Sequence, residues 1–137
     1  MISDEIEKQV IQAFLVPGCR ARYASGFGRG KKRFKVLDRL NHCLDDFFDA
    51  RFSTQIPRRV QTVAEIESML VNQDAPSDCY VISANEDLDS ETMALHDALE
   101  VVVGMTFGTV LSCIHGQLAY FEGEDWKDRF ILERPVR

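Results

Sequence analysis

The stretch from Gly108 to Gly123 restricts the possible folds more than any other part of the chain. Two apolar, β-prone runs flank His115-Gly116. A two-residue connection ending in glycine is a hairpin signal, because a type I′ turn needs positive φ at both centres. Glycine meets that need cheaply, and histidine tolerates it better than most residues. Such a turn sets Ile114 against Gln117, Cys113 against Leu118, Ser112 against Ala119, Leu111 against Tyr120 and Val110 against Phe121. One face then carries Val110, Ile114, Ala119 and Phe121, and the other Leu111, Cys113, Leu118 and Tyr120. A strand pair that is apolar on both faces must be covered on both. The cover is either helices on each side, or helices on one side and a second copy of the chain on the other.

The remaining elements follow from periodicity. Ile2, Ile6, Val10, Ala13 and Phe14 lie at helical spacing, which predicts a helix over 3–16 with Ser3 as its cap and Pro17-Gly18 as its stop. Arg20 to Tyr23 reads as a short extended piece, and Gly26, Gly28 and Gly30 as a turned loop. A second helix is predicted from Gly30 to about Asp49 with a break near Asn41, and a third over 62–72 capped by Thr62. A fourth is predicted over 91–103, ended by Gly104. Strands are predicted at 52–56, 79–83, 109–114, 117–122 and 129–133. The expected class is α+β, with about five mostly antiparallel strands packed by about four helices, in one domain over 1–137.

Composition narrows the function. Hydrophobic residues make up 45% and charged residues 28%, ordinary for a soluble chain. Val101 to Phe121 has no Asp, Glu, Lys or Arg but is broken by three glycines, so it does not read as a membrane helix. The acidic, amphipathic N-terminus does not resemble a secretory signal. Cysteines 19, 43, 79 and 113 form no CxxC pair, so they are expected to be reduced thiols in a cytoplasmic protein rather than a zinc site.

Charge is distributed unevenly. Between Pro17 and Leu40 stand eight basic residues and one acid, +7 in all, which leaves −13 for the remainder of a chain whose net charge is −6. Overall acidity argues against a general DNA-coating role and is compatible with a local anion site. Ser25-Gly-Phe-Gly-Arg-Gly-Lys-Lys-Arg33 carries that site in the sequence. A glycine-rich loop entering a helix brings free amides and the positive end of the helix dipole together, and the cations beside it add charge. The residues expected to meet an anion are Arg20, Arg22, Arg29, Lys31, Lys32, Arg33 and Lys35. The motif is not Walker A, which would need Gly at 25 and Ser or Thr at 32, and it is not GxGxxG. The competing reading is a solvated basic face, or an internal mate for the acidic segments.

Other constellations are weaker. Asn85-Glu-Asp-Leu-Asp-Ser-Glu91 fails the EF-hand spacing at its sixth and twelfth positions and reads as an acidic turn before a helix. Cys113 with His115 has no orienting third group, and His42-Cys43 is a ligand-like pair that reads more readily as helix packing and a surface imidazole. Trp126 is a loop aromatic suited either to an interface or to covering the sheet end. No cofactor or metal is expected. The leading expectation is a small binding or regulatory module, self-associating, whose segment 20–39 meets an acidic protein surface, a phosphate ligand or a nucleic acid. The alternative is a small enzyme for a phosphorylated or nucleotide substrate, with 25–33 as phosphate cradle and an acidic residue from 86–91 as base or metal ligand.

Overall fold

The computed structural model describes residues 1–42 and 47–135. Ser3 accepts the Ile6 amide at 3.3 Å and opens helix α1 (Asp4–Phe14), whose Val10, Ile11 and Phe14 are buried. Pro17 ends that helix and begins another, α2 (Pro17–Arg22), where the expectation was an extended piece at 20–23. A proline at the first helical position lacks only an amide that has no helical partner anyway, and its fixed φ suits the helix.

The second expected helix is shorter than 30–49. It divides at Asp38 into α3 (Gly30–Leu37) and a single turn, α4 (Arg39–His42). Positions 43–46 of that expectation lie outside the described residues. Phe48 then bridges to Leu15, so the far end of the expected helix is extended chain crossing the α1–α2 corner. Helix α5 (Val63–Val71) follows, capped by Thr62, which takes the Glu65 amide at 3.2 Å.

Six strands form one antiparallel sheet: β1 (Ser53–Gln55), β2 (Asp78–Ser83), β3 (Thr92–Ala94), β4 (Thr109–Ile114), β5 (Leu118–Glu122) and β6 (Arg129–Glu133). Their order is β1-β6-β5-β4-β2-β3. The class is α+β as expected, with one strand more. The extra strand is β3, which occupies the first residues of the fourth expected helix, so helix α6 covers only Leu95–Val102. Beyond the β4 side, β2 has a second edge of backbone donors and acceptors, and β3 pairs with it from Asp78↔Ala94 to Tyr80↔Thr92.

The hairpin forms as expected along its length, with Val110↔Phe121, Leu111↔Tyr120 and Ser112↔Ala119. Its tip differs. Ile114 pairs with Leu118 across an irregularity at Cys113, leaving three residues in the connection. Gly116 has φ +79° while His115 is not in the left-handed region, so the turn is not type I′. The added residue places Ile114 on the Leu111 face, where the sequence had assigned it to the Val110 face.

Helices cover both faces. Val110, Ala119, Phe121, Tyr80 and Ile82 pack against α1, α3 and α4 with Phe47 and Phe48. Leu111, Cys113, Leu118, Tyr120 and Val81 pack against α5 and α6. A second copy is therefore not needed to cover the hairpin. Among the described residues no helix is long and apolar enough to cross a membrane.

Candidate functional site: a groove beside helix α3

Arg33 is only 1% exposed although three basic neighbours surround it in sequence. Its Nε donates to Asp89 at 2.6 Å. One terminal nitrogen donates to Glu7 at 2.8 Å and to the Gly28 carbonyl at 3.1 Å. The other donates to Glu7 at 2.7 Å and to Asp89 at 3.0 Å. All five guanidinium N–H groups are thereby satisfied internally. Burial alone would lower the pKa of this group, but hydrogen bonds and charge from Glu7 and Asp89 outweigh that and raise it. Glu7 also accepts from the Tyr80 hydroxyl at 2.7 Å and from the Phe27 amide at 3.4 Å. The Phe27 amide and the Arg33 guanidinium are thus both taken up by the chain's own Glu7, and Arg33 by Asp89 as well.

Arg20 and Arg29 of this group are also engaged. Arg20 donates to the Leu15 carbonyl at 2.7 Å and pairs with Asp49 at 3.2 Å. Hydrogen bonds from Arg51, with its charge and that of Arg20, hold the Asp49 carboxyl down at about 2. Arg29 makes an exposed pair with Asp4 at 2.8 Å. Lys31, Lys32, Lys35 and Arg22 are exposed and form no ion pair among the described residues. Within the segment 20–39, Arg20, Arg29 and Arg33 are thus bound to acids, while Arg22, Lys31, Lys32 and Lys35 are not, among the described residues.

Two of those lysines line a groove of about 530 Å³. Lys31, Phe34 and Lys35 of α3 form one wall, continued by Asp38 at the break and Asn41 of α4. Ala84, Glu86 and Phe107 form the other side. Buried carboxylates anchor both loops of that opposite side. Asp89 takes the Ser83 amide at 3.0 Å as well as Arg33, which fixes the turn carrying Glu86. Glu122, fully buried, takes the Gly104 amide at 3.1 Å and the Thr106 amide at 3.1 Å. It also accepts from Tyr120 at 2.8 Å and pairs with Arg129 at 3.4 Å. Burial first, and then Glu122, push the Tyr120 phenol upward, so it stays a donor. Gly108 closes this loop against α4: its amide donates to Asn41 at 2.5 Å, and an added Cβ would lie 2.5 Å from the Leu40 Cβ.

The remaining candidates come apart. Gly26, Gly28 and Gly30 take positive φ, but none lines the groove. His115 bonds the Ser112 hydroxyl at 2.7 Å, not Cys113, and burial lowers its pKa. Burial pushes the Cys79 and Cys113 thiols up to about 12, which removes them as nucleophiles. His42 lies 3.3 Å from Glu124, while Cys43 is outside the described residues. Trp126 is half-buried between Arg58 and Lys127, which stack 5.0 Å and 5.9 Å from its ring centre. Among the described residues no group of three His, Cys, Asp or Glu side chains could hold a metal ion.

Sequence reasoning passed over Glu7, Glu122, Thr106 and Phe107. Glu7 carried a signal, because it stands at i−3, i−4 and i−7 from the buried Val10, Ile11 and Phe14. Phe107 had no comparable mark. No family model, curated protein or solved structure matches this chain.

Proposed function

We propose that this chain is a binding module without catalysis of its own, and that Lys31 and Lys35 meet an anionic partner at the α3 groove. One observation carries the reading. The arginines of segment 20–39 that face acids are bound to them, while Lys31 and Lys35 line a groove unpaired, across from an exposed Phe107. Lys32 and Arg22 extend the positive field around it. A phosphate cradle for catalysis would gather glycine amides and a base around one pocket. Here the glycines lie elsewhere and the Phe27 amide is directed at Glu7. That speaks for binding over the enzyme alternative, in which an acidic residue from 86–91 would serve as base or metal ligand.

The test compares wild type with K31E/K35E for binding to a panel of inorganic phosphate, polyglutamate and oligonucleotides across a salt series. Binding that weakens with salt and is lost on charge reversal is expected. If the double variant binds every probe as wild type does, or wild type binds none, the reading fails.

A further inference from the structure

The loop 104–107 carries one strained backbone position, Thr106. Thr106 takes φ +65°, a region that β-branched residues strongly avoid. Strain of this kind persists only where surrounding contacts over-determine it, and such positions concentrate at binding sites. Here the contacts are the buried Glu122 carboxylate on the Gly104 and Thr106 amides, and the Gly108 amide on Asn41. Their combined effect is to hold Phe107 43% exposed at the rim of the groove. A large apolar side chain kept rigid and wet is ready to bury against a partner.

The charges of the groove have an order. Along the helix wall come Lys31 and Lys35, then Asp38, with Phe34 between. Glu86 and Phe107 line the same groove from two other loops. Lys31 to Asp38 spans about 10 Å of helix axis at the usual rise. An extended peptide covers that length with about three residues.

We propose that this groove takes a short extended peptide segment of another protein. An apolar side chain of that segment sits between Phe34 and Phe107, an acidic residue on one side of it faces Lys31 and Lys35, and a basic or amide residue on the other side faces Asp38. The proposal rests on the preceding reading that the two lysines meet an anion, and it names the chemistry of the bearer. A nucleic acid fits less well. Its backbone brings a negative charge with every nucleotide, and Asp38 and Glu86 repel it in the same groove. A peptide places charge only where its sequence puts it, and its amides can donate to those carboxylates.

Fluorescence anisotropy with labelled nonapeptides tests this on the full chain. The central five residues are Asp-Asp-Leu-Ala-Lys in one probe and the reverse order in a second, since the direction of the chain is free. Matched probes replace leucine with alanine, or both aspartates with lysine. A ten-residue oligothymidylate is the nucleic-acid arm. One of the two leucine probes binds saturably. Loss of its leucine, or F107A in the protein, each weakens binding about tenfold, the effect of losing an apolar anchor. K31E/K35E abolishes binding of the aspartate probe and gains binding of the lysine probe.

Both protein variants alter exposed side chains, and the leucine-to-alanine probe leaves the protein untouched, so a folding defect cannot imitate the full pattern. Binding indifferent to the leucine and to Phe107 overturns the proposal. So does oligothymidylate binding that depends on Lys31 and Lys35 while no peptide binds, and that result leaves the anionic reading standing. Binding of neither class ends both.

Discussion

Removing the Arg33 guanidinium by Arg33→Ala should be among the most destabilising single changes this chain can suffer. The variant strands two carboxylates, Glu7 at 0% exposure and Asp89 at 9%, and deletes five donated hydrogen bonds. Breaking a buried pair by removing one partner costs about 3–5 kcal/mol. Small domains have about 5–15 kcal/mol in total, so about a fifth or more of the stability is at stake. With a urea slope of about 1–3 kcal/mol/M, the unfolding midpoint should fall by about 2 M. Arg33→Lys keeps the charge, but three donors on a point-like head cannot fork to both carboxylates, so it should rescue only part of the loss. Arg29→Ala provides the internal control. Its pair with Asp4 is exposed at 63% and 42%, and such pairs are worth about 1 kcal/mol or less. Urea unfolding of these proteins, with Glu7→Ala and the Arg33→Ala/Glu7→Ala double variant, decides the matter by circular dichroism. An Arg33→Ala loss no larger than that of Arg29→Ala would refute the argument. So would strict additivity of Arg33→Ala with Glu7→Ala, since groups in direct contact should couple.

Three further outcomes follow from the same geometry. Gly108→Ala drives a Cβ to 2.5 Å from the Leu40 Cβ and 2.6 Å from its backbone carbon, so it should cost about 1–3 kcal/mol or more by overpacking, read as a lowered thermal midpoint. Asp49 is held near 2, below its ordinary 3.8, so its contribution is complete above about pH 4 and disappears as pH falls through about 2. Wild type should therefore lose more urea resistance between pH 6 and pH 2.5 than Asp49→Asn, and equal losses would contradict the assignment. Cys79 and Cys113, buried with thiols pushed up to about 12, should resist iodoacetamide at pH 8 in the native protein and react in urea; peptide mapping separates them from the other cysteines.

What the sequence determined by itself was local. The alternation in 110–112 and 119–121 specified both the pairing and the need for cover on two faces, because the side-chain period of a strand is two. Ser3 and Thr62 announced their helices because a cap acts within three residues. Tertiary structure decided matters that depend on distant partners. Thr92–Ala94 became a strand because β2 had an edge to fill, a demand invisible in three residues that precede a helix. Cys113 at the hairpin tip shifted register because the turn took three residues, with positive φ at Gly116 alone. The basic segment shows the division most clearly. Lys31, Lys32 and Arg33 are equivalent as a charge run, yet Arg33 precedes the buried Leu37 and Leu40 by four and seven residues and so points inward. Which acids it would find there, 26 and 56 positions away, only the folded chain could decide. The same holds for Phe107, whose exposure rests on a carboxylate of β5 meeting the amides of a loop that precedes β4.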